Sequence, residues 1–259
     1  MLHLIPISDV NPTRRFAVVT LLLIAINVGV FIQTPGLGAG PRATVYFYQH
    51  APVPCQVDDS CPTGEIGPDL TIPERSLASL LGSIVFSTFL HGGLLHLGGN
   101  LLFLWIFGNN VEDRLGRIKY LLFYLAGGIL ASFAHIFWAL LRSPEVCTNA
   151  NPGACIPAVG ASGAVAAVMG AYILLYPRAR VNVLVPIIFI WTVIQVSAFT
   201  VLALWFVYQF FIGAQELSGA TEVAWMAHVG GFVFGLIGMF ILGGRPTQPP
   251  TVWRPEWGR

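Results

Sequence analysis

Charged side chains are scarce in this chain: Asp, Glu, Lys and Arg make up 10% of its 259 residues, whereas about 25% is usual for a soluble domain. The formal net charge is only +1, which leaves no basic surface for nucleic acid. No His-Glu-x-x-His sequence is present, so a zinc metalloprotease of that type is not indicated. Apolar residues are abundant instead, at 55% of the chain with a mean hydropathy of +0.73. These values indicate a polytopic membrane protein.

Six apolar segments approach the roughly 20 residues that a helix needs to cross a bilayer. Arg14 and Arg15 precede the first segment, which is longer than the core of a cleavable signal peptide and is interpreted as a retained span. The six segments cover residues 16–33, 94–111, 119–141, 159–176, 194–213 and 222–242.

The predicted fold class is therefore an all-α polytopic membrane protein with six transmembrane helices and cytoplasmic termini. Residues 79–90 and 181–193 are apolar but fall outside the spans. We expect 79–90 to be interfacial or re-entrant and 181–193 to lie along the membrane interface. The predicted organisation is a cytoplasmic N-terminal segment 1–15, a six-helix membrane domain 16–243 with a long outer loop 34–93, and a Pro-rich cytoplasmic tail 244–259.

The distribution of basic residues supports this topology. Ten Lys and Arg residues fall on the inner side, and only Arg42, Arg75 and Arg142 fall on the outer side. Such an asymmetry fits the positive-inside rule. We expect the location to be a bacterial inner (plasma) membrane, with the periplasm on the outer side.

All four cysteines fall on the predicted outer side. Cys55 and Cys61 share the first outer loop, and Cys147 and Cys155 share the next one. An oxidising compartment favours disulfides, and four cysteines allow three connectivities. We favour local pairing within each loop, with a cross-loop pairing and free thiols as open alternatives.

Polar residues lie at a similar depth in three different spans. With a rise of 1.5 Å per residue, Ser162 lies about 7 Å and His228 about 10 Å below the outer surface. His96 and Asn100 lie at about 4–10 Å, and His91 lies at the start of their span. Polar groups in lipid usually face the bundle interior or a wet cavity, so a common depth predicts an intramembrane site.

Ser162 is the candidate nucleophile and His228 the candidate base. Beyond Glu222 at the edge of the sixth span, no carboxylate lies in these spans to orient His228, which favours a Ser–His dyad over a triad. His96 and Asn100, on one helical face, and the backbone N–H of Ser162 are candidate oxyanion donors. Small residues that let the two helices approach closely are Gly160, Gly163, Ala227, Gly231 and Gly235.

Other polar residues in the spans have simpler interpretations. His91, His96 and His228 could instead bind a metal, but the preferred mechanism needs neither a metal nor another cofactor. His135 is interpreted as a packing or solvated histidine. Asn27, Gln195 and Gln209 are predicted to form interhelical hydrogen bonds.

Three motifs together resemble the signatures of the rhomboid intramembrane serine proteases. They are Gly160-Ala161-Ser162-Gly163, His91-x4-His96-x3-Asn100 and Ala227-His228-x2-Gly231-x3-Gly235, and Glu112-x3-Gly116 is also similar. The resemblance extends over residues 14–243. It implies a six-helix core, an outer loop embedded in the membrane, and cleavage of the transmembrane segments of substrate proteins near their outer ends. It also implies that the fifth span gates lateral substrate access.

Two positions depart from the family pattern. Gly82-Ser83 stand where the family often has Trp-Arg, and Ala166 stands where some members have a tyrosine that stacks on the catalytic histidine. Two rival functions stay open: a catalytically silent rhomboid-like protein that binds membrane helices, and a metal-dependent membrane enzyme or transporter that uses the histidines. Retention of Ser162 and His228 favours the protease.

Overall fold

The computed structural model describes residues 5–62, 64–67, 70–142, 153–187, 190–217 and 224–246. Cys147 and residues 247–259 of the predicted tail lie outside these ranges, so the predictions for them concern residues that the structure does not describe. The described chain is mostly helical. Its α-helices are α1 Val18–Gln33, α2 Pro41–His50, α3 Leu77–Ser87, α4 Leu94–Leu115, α5 Arg117–Arg142, α6 Ser162–Leu175, α7 Ala198–Leu217 and α8 Trp225–Ile241.

The six predicted spans correspond to α1 and α4–α8, whereas α2 and α3 lie within the predicted outer loop. Among the described residues, α5 and residues 198–215 of α7 are long and apolar enough to cross a bilayer alone. Helices α1, α3, α6 and α8 are apolar but shorter. The six-span topology with both termini inside therefore stays a prediction.

An antiparallel sheet corrects the prediction of an all-α fold. Strands β1 Ile5–Asp9, β4 Arg180–Ile187 and β5 Ile190–Ser197 pair in the order β1-β4-β5; a separate short hairpin, β2 Glu65–Gly67 with β3 Leu70–Thr71, lies in the outer loop. The predicted interfacial segment 181–193 is thus a β-hairpin, and α7 begins at residue 198, not 194. The burial of side chains alternates along β4: Val181, Val183 and Val185 are buried, and the residues between them are less buried. This two-residue period and the preference of β-branched residues for strands explain why the segment is a strand.

Asp9 ties this sheet to the helices. The Tyr172 hydroxyl of α6 donates a 2.6 Å hydrogen bond to Asp9 Oδ2, and Asn110 Nδ2 of α4 donates one of 2.9 Å. Burial raises the pKa of Asp9 from 3.8 to about 6, although the bond from Tyr172 acts in the opposite direction. Tyr172 lies ten residues after Ser162, about 15 Å further along the helix, so the sheet closes the end of the bundle opposite Ser162.

Glu112 joins the end of α4 to the start of α1. Its carboxylate accepts hydrogen bonds from the Val19 and Thr20 backbone N–H groups at 2.9 and 2.7 Å, and from the Thr20 hydroxyl at 2.8 Å. Since the first N–H groups of a helix have no intrahelical acceptor, this carboxylate caps α1. Gly116 then turns the chain into α5 with φ of 77°, a left-handed conformation that favours glycine.

The outer loop packs against the segment that leads into α6. A disulfide joins Cys55 to Cys61, the local pairing that the sequence favoured. The sulfur atoms of Cys55 and Cys155 lie 3.8 Å apart, and Cys155 is itself in a disulfide; its predicted partner, Cys147, is outside the described residues. The Ala158 N–H donates to the Pro52 carbonyl at 3.0 Å, so the loop holds the approach to Ser162.

Candidate active site

Ser162 is the first residue of α6, and its neighbours fix that position. Gly160 has φ of 129°, and its N–H donates to the Ser87 carbonyl at 3.0 Å. A β-carbon on Gly160 would lie 2.8 Å from His96 Nε2 and 3.4 Å from Ser162 Oγ. Glycine is therefore required there by conformation and by space, and Ser162 and His96 face the same small volume.

His96 and Asn100 lie on one face of α4, as their spacing predicts. The Gly92 N–H donates to His96 Nδ1 at 3.3 Å, and Asn100 Nδ2 donates to the His96 carbonyl at 3.1 Å. Asn100 is buried. His91 is fully buried beside His96, with ring centroids 5.1 Å apart, and its Nδ1 lies 3.2 Å from the Phe89 carbonyl oxygen. Its contacts make His91 part of the support for His96.

Helix α8 brings His228 close to the start of α6. A β-carbon on Gly163 would lie 3.5 Å from the Ala227 carbonyl oxygen and 3.8 Å from Ala227 Cβ. Further along, a β-carbon on Gly231 would collide with the Gly163 carbonyl, and one on Gly235 with the Ala167 carbonyl. Of the small residues that the sequence singled out, Gly163, Ala227, Gly231 and Gly235 thus form the α6–α8 contact, whereas Gly160 faces His96 of α4.

His228 Nδ1 lies 2.7 Å from Gln209 Oε1 of α7, and the Trp205 ring centroid is 5.8 Å from that of His228. Within the described part of the chain, no hydrogen bond joins Ser162 Oγ to His228, so the dyad's own bond stays a prediction. Sequence reasoning predicted an interhelical bond from Gln209 but missed its partner. The available signal was an amide in the middle of an apolar stretch of α7, since polar groups in lipid usually face the bundle interior.

The two departures from the family pattern have local explanations. Ala166 packs against α8, where a β-carbon on Gly231 would lie 3.3 Å from Ala166 Cβ, so a larger side chain than alanine has little room. The Ser83 hydroxyl donates to the Leu80 carbonyl at 2.7 Å within α3. Its neighbour Ile84 packs with Ile136 of α5, and these apolar contacts hold α3.

No group of three or more His, Cys, Asp or Glu side chains is arranged to hold a metal ion among the described residues. Within those ranges, His91 and His96 lie together, whereas His228 is bonded to Gln209. The geometry therefore gives the metal-site alternative no support.

Comparison with known proteins agrees with the motifs. A family model described as a rhomboid domain matches residues 80–245. The chain is 31% identical over 107 residues to presenilin-associated rhomboid-like protein A, mitochondrial, from Danio rerio, an alignment that covers 40% of this chain and 25% of the relative. It is 33% identical over 99 residues to Rhomboid protein 1, mitochondrial, from Saccharomyces cerevisiae, covering 38% and 26%.

A plant relative is similar over a longer part of the chain. The chain is 31% identical over 157 residues to RHOMBOID-like protein 4 from Arabidopsis thaliana, covering 61% of this chain and 33% of the relative. The chain thus spans about a quarter to a third of the length of these relatives. Two of them are named as mitochondrial, so the predicted bacterial inner membrane gains no support. Because the family model matches more than half of its length, the chain belongs to the rhomboid family of integral membrane proteins.

Proposed function

We propose that the protein is an intramembrane serine endopeptidase, with Ser162 as nucleophile and His228 as general base. The observation that carries this proposal is the contact of Gly163, next to Ser162, with Ala227, next to His228. Because α6 and α8 meet backbone to backbone at this point, the two candidate side chains project from adjacent positions. We expect the Ser162–His228 hydrogen bond to tighten when substrate binds, because such bonds are often long in unliganded enzymes.

The bonding of His96 supports its role as an oxyanion donor. A backbone N–H can only donate, so His96 Nδ1 is the acceptor of the bond from Gly92. A neutral imidazole then carries its proton on Nε2. Nε2 is the atom that faces Gly160 beside Ser162, so this N–H points to the place where negative charge would develop.

Asn100 and the first turn of α6 offer further donors. Asn100 uses one amide hydrogen on the His96 carbonyl, which leaves its second hydrogen for another acceptor. The first backbone N–H groups of α6, beginning at Ser162, have no intrahelical partner and lie at the positive end of the helix dipole. Together these groups supply a hole of the kind that stabilises tetrahedral intermediates.

The proposed reaction uses only the chain's own residues. Ser162 Oγ attacks the scissile carbonyl carbon while His228 takes the hydroxyl proton, and the donors near Ser162 bind the oxyanion. His228 then gives the proton to the leaving amine as the C–N bond breaks, and water hydrolyses the acyl ester by the same route. The substrates are transmembrane segments of proteins in the same bilayer, cut near their outer ends.

The test uses purified protein in liposomes with a model single-span substrate and a serine-directed fluorophosphonate. Ser162→Ala and His228→Ala should each abolish cleavage and labelling, with unfolding midpoints close to wild type. Substantial cleavage by either variant would refute the dyad. Wild-type protein that binds the substrate but neither cleaves nor reacts would support the silent helix-binding alternative, and activity lost to a chelator and restored by zinc would support a metal enzyme.

A further inference from the structure

Gln209 is the residue that bonds to the candidate base from outside the predicted dyad. It lies near the middle of α7, its side chain is only 1% exposed, and its Oε1 is 2.7 Å from His228 Nδ1. Its neighbours Tyr208 and Phe210 are exposed apolar side chains. The face of α7 that carries Gln209 therefore points into the bundle, towards α8.

The second bond of Gln209 fixes which end of the amide faces His228. Gln209 Nε2 lies 3.0 Å from the Trp205 carbonyl oxygen. A carbonyl can only accept, so the amide nitrogen must be on that side and the amide oxygen must face His228. That oxygen is itself only an acceptor, so His228 Nδ1 carries a proton and donates it. The unprotonated nitrogen is then Nε2, the atom that can take the serine proton.

We propose that Gln209 is a positioning residue that holds His228 in the tautomer and orientation required for a general base, so that the working unit is Ser162–His228–Gln209. This inference rests on the proposed function. It assigns to a neutral amide the orienting role that a carboxylate has in a full triad; the predicted spans contain no carboxylate except Glu222, the first residue of the sixth.

Helix α7 adds a second constraint on the same ring. The Trp205 ring lies 5.8 Å from the His228 ring on one side, one helical turn before Gln209. Ala166 of α6 presents only a methyl group towards α8. The titratable groups that act on His228 are His96 of α4 and His135 of α5, neither of which can orient the ring as the bond to Gln209 does. The base is therefore aligned by α7, and the nucleophile by α6.

The experiment compares two substitutions of the same size. Gln209→Leu removes the acceptor, whereas Gln209→Glu keeps an oxygen at the same reach. Gln209→Leu should lower kcat about tenfold to a hundredfold, the factor that one hydrogen bond to a charged group provides. KM should change by less than about twofold, because substrate binding is not touched. Fluorophosphonate labelling of Ser162 should slow in parallel, and Gln209→Glu should restore most of both rates.

The control is Gln195→Leu, which removes an exposed glutamine of β5 that bonds to Asn182 and should leave kcat unchanged. Wild-type kcat and labelling in Gln209→Leu would overturn the inference, and so would a change in KM alone. Equal loss of activity and thermal stability in both Gln209 variants would make the residue merely structural. If Gln209→Leu does not fold, Gln209→Met replaces it.

The failure of this inference is separable from that of the proposed function. An inactive Ser162→Ala alongside a fully active Gln209→Leu overturns only the role of Gln209. Cleavage that survives Ser162→Ala overturns the protease mechanism itself.

Discussion

Helix α8 has two neighbours that it contacts in opposite ways. Against α6 the backbones meet, since Gly231 and Gly235 leave no room for a β-carbon against the Gly163 and Ala167 carbonyls. Against α7 the contacts are between side chains. Besides the Gln209–His228 bond they join rings: Phe206 with Phe232 at 4.7 Å, Trp205 with Phe232 at 6.1 Å and Phe210 with Trp225 at 5.9 Å.

The difference indicates which side of α8 is rigid. Backbone contacts through small residues tolerate no added atom, whereas aromatic side chains can change rotamer and repack. Helix α7 also exposes Phe199, Leu204, Val207 and Phe211 on its outer face. We therefore expect the α6–α8 pair to fix the backbone of the candidate nucleophile relative to that of the candidate base. Outside the Gln209–His228 bond, we expect α7 to be the side that yields when a substrate approaches laterally.

The largest effect on stability and activity should come from adding one carbon atom to the α6–α8 contact. Gly231→Ala places a β-carbon against the Gly163 carbonyl, and overpacking of this kind costs about 1–3 kcal/mol of the free energy of unfolding. Cleavage should be lost with it, because Ser162 follows the same backbone. The measurements are the unfolding free energy in mixed micelles and turnover in liposomes.

The matched control for Gly231→Ala is Gly29→Ala in α1, where a new β-carbon meets nothing within 4 Å. It should be neutral or stabilising by about 0.5–1 kcal/mol. Equal behaviour of the two variants would contradict the rigid α6–α8 contact.

The oxyanion donors on α4 should show the next largest effect. Loss of one such donor costs about 10²–10³ in turnover in serine hydrolases. His96→Ala should approach that loss, since its Nε2 faces the Ser162 side, whereas Asn100→Ala should be slower than wild type but detectable because other donors remain. The measurement is steady-state kinetics of both variants. Values of kcat and KM equal to those of the wild type in both would mean that the oxyanion hole is formed by other residues.

The pH dependence of stability tests whether Asp9 holds the C-terminal end of α6 through its bond to Tyr172. Its pKa is raised to about 6 from 3.8, so the folded state binds the proton more tightly than the unfolded state. This contribution to stability is full below about pH 4 and is lost as the pH rises through about 6. Relative to Asp9→Asn, the wild type should lose about 1–2 kcal/mol of unfolding free energy across this window.

The check for Asp9 is a series of unfolding curves for both proteins at different pH values. Parallel curves would show that Asp9 does not titrate in this way. Turnover at neutral pH should be the same in both, because Asp9 bonds to Tyr172, which lies about 15 Å along α6 from Ser162.

The smallest effect on stability and turnover should come from a substitution in the aromatic contact between α7 and α8. Phe206→Leu exchanges the Phe206–Phe232 ring contact for an aliphatic one, and swaps of similar volume usually cost less than about 1.5 kcal/mol. Turnover should stay within about threefold of wild type. A loss as large as that of Gly231→Ala, measured in the same assays, would remove the distinction between the two sides of α8.

The helices could be predicted from the sequence because a long unbroken apolar run in a membrane protein nearly always forms a helix. Helix α1 Val18–Gln33 matches the predicted 16–33, and α5 Arg117–Arg142 matches 119–141. The run after residue 180 was misassigned for the same reason: when nearly every residue is apolar, periodicity separates a buried strand from a helix poorly. The pairing of β4 with β1 depends on a segment more than 170 residues away.

The candidate site shows a similar limit. Ser162, His228, His96 and Asn100 could be found because each is a polar group in an apolar segment. The bond from Gln209 to His228 could not, because it depends on the rotation of α7 about its axis and on its depth beside α8. Neither quantity follows from spacing within one helix.

The strand formed by residues 5–9 has a consequence for the order of events during synthesis. Ser8 receives its hydrogen bond from Asn182, 174 residues later, and β4 is completed by β5, which ends at Ser197. Residues 5–9 must therefore stay unpaired until about 170 further residues have been translated. Contacts between such distant residues form slowly because long loops must close first. We expect this end of the molecule to assemble after the helices around Ser162, so that maturation of the protein proceeds from its outer end inwards.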